Sequence, residues 1–248
     1  MLVDALREHA AGLDTGLMVA DIRIGLGYTA AVLSDGRCGL AYTLHEQPYE
    51  TCSVVAEAGR LAGRPAAELI SWIRMKDATA CAVGLATINA LLDWPAAAAA
   101  ADISELLAVG RDDTVGMIGY FGPLVRPLKE RARALHIFER NPDRAHGILP
   151  ESSARDLLPG CQVVVMTATA LLNHTIDGLL DLCADAREIA LLGPSTPFAP
   201  EVFRGRGVTM LSGLQVVDAG RILRIVSEGG GTRKFGSAVR KLSFRLDG

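Results

Sequence analysis

Apolar residues recur at Leu2, Val3, Leu6, Ala10 and Leu13, the spacing of one helical face, so the chain opens on a short amphipathic helix. The pattern then shifts to short β-like runs. Gly16–Ile24 carries Val19, Ile22 and Ile24; Tyr28–Leu33 carries Val32 and Leu33; Cys38–Leu44 carries Leu40, Tyr42 and Leu44. Gly25-Leu26-Gly27 joins the first two runs, and the turn signal Ser34-Asp35-Gly36-Arg37 predicts a hairpin between the last two. Beyond Pro48 the pattern turns helical. Pro65–Ile73 begins on a proline suited to a first helical turn, and Ala78–Leu92, rich in Ala and Leu, stops before Pro95. A small β-meander backed by helices, an α+β unit, is the expected first part. The alanine-rich stretch Pro95–Ala101 reads as a helical turn or tether.

From Thr114 the chain alternates strands and helices. Strands are predicted at Thr114–Ile118, Ala134–Glu139, Gln162–Met166, Glu188–Leu192 and Val208–Leu211, with helices at Pro123–Arg133, Ala170–Ala184 and Arg233–Leu242. The first strand and the last three are apolar throughout, as in a parallel sheet covered on both faces. The expectation is two domains, residues 1–111 and 112–248, the second an α/β Rossmann-like unit with a mostly parallel sheet.

Composition narrows the function classes. Half of the 248 residues are hydrophobic, enough for a sizeable core, and with aromatics at 5% the packing falls to aliphatic side chains. A net charge of −3 gives no general electrostatic reason to bind nucleic acid or an anionic membrane. The cysteines Cys38, Cys52, Cys81, Cys161 and Cys183 are odd in number and form no C-x-x-C pair, which suits a reducing cytoplasm. Asp4, Arg7, Glu8 and His9 interrupt any export-signal core, and no apolar run approaches the ~18 residues of a membrane span. A soluble cytoplasmic protein is expected.

Candidate chemistry gathers at the predicted carboxyl ends of the strands, where ligands bind in open α/β sheets. Gly116-x-x-Gly119-x-x-Gly122 differs from the dinucleotide fingerprint G-x-G-x-x-G, yet it offers a tight turn and free N–H groups for an anion where Pro123 starts a helix. Phe121 lies within that turn. Glu139 stands 20 residues beyond Gly119, where an acidic residue binds ribose hydroxyls in nucleotide folds. Thr169 follows the third strand as a helix cap or ligand contact, and Asn173, polar in an apolar run, needs a partner. Pro194 and Ser195 lie in the stiff loop Leu192–Pro197. The run Glu228-Gly229-Gly230-Gly231-Thr232 lets backbone approach a ligand closely, with Glu228 the candidate general base and His45 a second. His45, Glu46, Tyr49, Glu50, Cys52 and Asn89 include metal-ligand types, but their spacing matches no zinc or EF-hand pattern.

This run of motifs resembles the heavy-metal chelation family. The likeness rests on Gly119–Leu124, Glu139-Arg140-Asn141-Pro142, Leu149-Pro150-Glu151, Thr169–Thr175, Gly193–Pro197 and Glu228–Thr232, in order, and more loosely on Ala86–Leu91. The resemblance implies an enolase N-terminal-like domain followed by a Rossmann-like domain, with a pocket between them lined by these turns. It implies a small polar or metal-chelating ligand, and a metal ion or metal chelate as the class of any cofactor. A nucleotide- or S-adenosylmethionine-dependent enzyme and a non-catalytic metal-binding protein are the alternatives. The expected partner is a small molecule, with a homo-oligomer left open.

Overall fold

The computed structural model describes residues 1–13, 16–44, 54–95, 98–101, 103–144 and 146–246. His45, Glu46, Tyr49, Glu50 and Cys52 lie outside the described residues. The chain is α+β, with a small antiparallel sheet and a larger, mostly parallel one.

The small sheet runs β1 (Val19–Ile24), β2 (Tyr28–Leu33) and β3 (Cys38–Tyr42) in that order, a meander with Tyr28 opposite Tyr42. Helix Leu2–Leu13 buries Leu2, Val3, Leu6 and Ala10 of the stripe its periodicity predicts and leaves Leu13 exposed at its end. Helix Ala78–Leu91 is apolar around its whole circumference and buried accordingly, with Asn89 its least enclosed residue. It lies so close to β3 that a Cβ at Gly39 would stand 2.1 Å from the Ala86 carbonyl oxygen. The predicted helix Pro65–Ile73 is a short α-turn, Ala66–Leu69, continued as a 3₁₀ segment, Ile70–Arg74.

The larger sheet contains β4 (Thr114–Ile118), β5 (Ala134–Glu139), β6 (Ile148–Pro150), β7 (Val163–Thr167), β8 (Glu188–Leu192), β9 (Met210–Val216) and β10 (Val239–Arg245). Its order is β10-β9-β8-β7-β4-β5-β6, with only the β10–β9 pair antiparallel. The chain moves outward from β4 to β5 and β6, then returns to lay β7 on the other side of β4. The crevice where strand order reverses therefore opens between the carboxyl ends of β4 and β7.

Two predicted elements differ from what forms. The expected helix Arg233–Leu242 is a single helical turn, Thr232–Phe235, followed by β10. Gly236, at φ +50°, ends the turn, and Val239 onward pairs with β9 from Val216 to Met210. The expected helix Ala170–Ala184 is broken into a 3₁₀ turn, Ala168–Leu171, and a helix, Ile176–Leu182, because His174 takes a left-handed φ of 58° between them.

The two sheets share a core. One continuous apolar cluster joins Leu6, Leu33, Ile73 and Leu85 of the first half to Phe138, Met166, Leu191 and Phe203 of the second. On the opposite face of the small sheet, Ala30 and Leu40 pack on Ile222 and Val226 of helix Ala219–Ser227 and on Phe235. The small sheet is thus held between its own helix and one from the C-terminal half. Among the described residues, no helix is long and apolar enough to cross a membrane.

Candidate functional site

The crevice at the carboxyl ends of β4, β5, β7 and β8 is a cleft of about 530 Å³, and Tyr28 and Tyr42 of the small sheet form its other side. Of the residues singled out in the sequence, Gly119, Phe121, Glu139, Thr169, Asn173, Pro194 and Ser195 line it together. They come from four turns, each leaving a different strand.

The glycine turn after β4 holds Gly119 at φ +86°, and a Cβ there would stand 3.0 Å from the Thr167 side chain, so a larger residue would push β4 and β7 apart. Its backbone groups are already engaged. The Gly119 N–H donates to the Phe138 carbonyl at 2.9 Å, and the Tyr120 N–H donates to Glu139 Oε1 at 2.9 Å. The carboxylate of Glu139 therefore stands where an anionic ligand was expected, and the turn cannot offer these two N–H groups to an anion. Gly122 opens helix Gly122–Arg131, exposed and outside the cleft lining. Gly116 serves packing: a Cβ there would meet Leu158 at 2.7 Å.

After β7, Thr167 rather than Thr169 caps the following turn. Its hydroxyl accepts the Thr169 N–H at 3.3 Å and lies 2.9 Å from the Thr169 hydroxyl. Asn173 finds its partner locally: its Oδ1 accepts from the Thr175 N–H at 3.3 Å and hydroxyl at 2.8 Å. The amide nitrogen remains a donor at the cleft. His174 turns away from it, with Nε2 3.1 Å from the Ile73 carbonyl oxygen and 3.7 Å from the buried Cys81 sulfur. This pairing ties the strained corner to the first half of the chain. After β8, Ser195 Oγ accepts the Tyr42 N–H at 2.8 Å and joins the two sheets across the cleft.

The glycine run is placed differently from its prediction. Glu228 is exposed at the end of helix Ala219–Ser227, and neither it nor Gly229, Gly230, Gly231 and Thr232 lines the cleft. The run passes behind Tyr28: a Cβ at Gly231 would lie 3.4 Å from the Tyr28 ring. Tyr28 packs edge-on against Tyr42 and Phe235 at 5.6 and 5.2 Å, and burial pushes its phenol up to about 12, so it stays protonated at neutral pH. Tyr28, Tyr42, Tyr120, Arg140, Asn141 and Thr167 also line the cleft, with Leu44, Leu192 and Gly193. Tyr28 and Tyr42 lay hidden in ordinary strand pattern, while Arg140 and Asn141 directly follow the predicted Glu139.

Metal-binding chemistry is sparse among the described residues, where no three His, Cys, Asp or Glu side chains come together as a cation site. Among the described residues the thiols are scattered, and burial pushes Cys38 up to about 12, Cys161 to about 11 and Cys183 to about 12, which keeps these three neutral. The thiolate, not the thiol, is the soft-metal ligand. Asn89 holds neighbouring backbone instead, donating to the Leu40 carbonyl at 2.7 Å and the Ser195 carbonyl at 3.3 Å.

Two sequence profiles, both described as "Putative heavy-metal chelation", match residues 5–92 and 102–244. The chain belongs to this family. It is 26% identical over its full length to an uncharacterized protein of Methanocaldococcus jannaschii, covering 99% of that relative. Two solved structures of proteins of unknown function from the heavy-metal chelation family match its fold. One, from Pyrococcus horikoshii, superposes with a TM-score of 0.86 at 25% identity, over 99% of this chain and 100% of that one. The other, from Desulfitobacterium hafniense, gives 0.80 at 27% identity, over 98% and 96%.

Proposed function

We propose that the cleft between the two sheets binds, and acts on, a small polar organic molecule able to chelate metal, and that the family's link to heavy metals runs through this molecule rather than through protein ligands to a bare ion. The observation that carries the reading is convergence. Turns after β4, β5, β7 and β8 meet Tyr28 and Tyr42 around one cleft of about 530 Å³, a volume typical of small-molecule sites.

The lining suits such a ligand. Tyr28, Tyr42, Tyr120 and Phe121 supply apolar surface, Thr167, Thr169, Asn173 and Ser195 supply neutral hydrogen-bonding groups, and Glu139 and Arg140 bring opposite charges. Because Glu139 occupies the glycine turn, the ligand presents donors rather than an anionic group to that corner. Glu139 replaces Glu228 as the group placed to exchange a proton with a bound molecule, since Glu228 is exposed and off the lining. In this reading residues 1–111 form an enolase N-terminal-like domain and residues 112–248 a Rossmann-like one, supported by the meander and by the strand order.

A second reading, an enzyme using a nucleotide or S-adenosylmethionine, is favoured by one observation. An acidic residue closes the second parallel strand beside a glycine turn at the point where strand order reverses. Thermal unfolding in the presence of adenosine-containing compounds separates the two. A cofactor at a hundredfold excess over its Kd raises stability by about 2.7 kcal/mol, so a flat response to S-adenosylmethionine and nucleotides removes the second reading. Elemental analysis of protein purified without chelators tests the first: stoichiometric metal held with no organic molecule present contradicts it.

A further inference from the structure

A second cavity, of about 150 Å³, lies behind the wall of the cleft, among Cys38–Leu40 of β3, Asn89, Thr196 and Leu214–Val216 of β9. Two open strand edges face each other across it. β3 pairs with β2 alone, and β9 pairs with β8 only as far as Ser212. Backbone parity sets what each edge presents. The Arg37 carbonyl and the Thr43 N–H bond toward β2, so the alternate residues Cys38, Leu40 and Tyr42 turn their backbone groups outward. The Leu40 carbonyl bonded by Asn89 and the Tyr42 N–H bonded by Ser195 agree with this. On β9, Ser212 accepts from the Gly193 N–H and Val217 donates to Ala238 on the β10 side, which leaves Leu214 and Val216 facing the cavity.

Two buried side-chain oxygens have no partner among the described residues, Thr196 Oγ1 and Asn89 Oδ1, and both residues line this cavity. Thr196 is only 4% exposed. The amide of Asn89 cannot be flipped to relieve its oxygen, because its nitrogen already faces the Leu40 and Ser195 carbonyls. Buried polar groups left unpaired are costly, so such a cluster is matched by whatever fills the space. The two charged side chains on the lining, Arg37 and Asp93, offset each other. Arg37 at the rim is paired with Asp35 at 2.7 Å and Asp93 at 3.8 Å, and the Cys38 thiol is neutral. The complement is neutral and compact, with N–H donors for the side-chain oxygens and an acceptor for backbone N–H. A cavity of about 150 Å³ holds a benzene-sized molecule, about six heavy atoms.

We propose that the gap between β3 and β9 is a binding site for a small neutral amide, a primary carboxamide or a urea. Ser195 and Thr196 are consecutive, so this site and the cleft stand back to back on one turn, each lined by one of the two hydroxyls.

Acetamide is the probe, titrated into the full-length protein while backbone and Asn side-chain amides are followed by NMR. Sodium acetate and ammonium chloride serve as charged controls. The proposal predicts saturable shifts at Leu40, Asn89, Thr196 and Leu214 with acetamide and none with either control. In T196V, affinity falls roughly tenfold, the value of one lost hydrogen bond, while the thermal midpoint of the free protein holds or rises because an unpaired hydroxyl is gone. Non-saturating shifts, equal binding of acetate, or unchanged affinity in T196V would overturn it. Should T196V fail to fold, a crystal of the wild type grown in acetamide decides: density between β3 and β9 supports the site, and its absence at saturating acetamide refutes it.

Discussion

Glu139 shows how a single side chain sets what its neighbourhood can hold. Its oxygen on the Tyr120 N–H fills the glycine turn, and its charge faces the cleft. E139Q keeps an acceptor for that N–H but removes the charge, so the ligand-free variant should unfold at a thermal midpoint close to that of ligand-free wild type, while retention of an organic molecule in native mass spectrometry is lost. E228Q, altering an exposed group outside the lining, should change neither. The thiols give a second residue-level prediction. With Cys38, Cys161 and Cys183 pushed up to between about 11 and 12 by burial, iodoacetamide at pH 8 should leave all three unmodified in the native protein and label them once it is unfolded, as read by peptide mass spectrometry. Asp113 adds a pH dependence. The Arg187 guanidinium, with the Gly110 N–H, holds its carboxyl below the usual carboxylate range. A depressed folded pKa stabilises at pH above the unfolded value of about 4 and loses that contribution as the pH falls through the folded one. The stability gap between wild type and D113N in urea unfolding should therefore be widest at neutral pH and close toward pH 2.

Elements whose own residues fix their form were legible from pattern. β2 and β4 carry the predicted bounds, and helix Ala78–Leu91 ends one residue early. Pattern failed where backbone geometry or a distant partner decides. His174, with φ at 58° and its ring on Ile73, breaks a helix that apolar spacing alone would continue. β10 forms because β9 offers an edge, a circumstance absent from the run Val239–Arg245 itself. The candidate site divides the same way. Gly119, Glu139 and Ser195 were readable because they stand at or just past the carboxyl ends of predicted strands, where ligands bind in open α/β sheets. Tyr28 and Tyr42 were not, since an aromatic in a strand is ordinary and only the packing of the sheets brings them to the cleft. That packing depends on close approach at Gly39. G39A places a methyl against the Ala86 carbonyl and should lower unfolding stability by about 1–3 kcal/mol in denaturant titrations, by lifting β3 from its helix.

At the scale of the whole molecule, the cleft exists because neither half is finished alone. Helix Ala219–Ser227 covers the small sheet, the core runs unbroken between the halves, and Ser195 bonds β3 across the opening. A ligand there touches both halves and adds to what joins them, so its occupancy is coupled to the stability of the whole chain. Native mass spectrometry of the protein isolated from its own source cells tests this most directly, alongside T169W, which crowds the cleft with an indole. The account predicts an organic mass retained by the wild type, released on denaturation and absent from T169W. Wild-type protein carrying no added mass, or carrying only the mass of a metal ion, would contradict it.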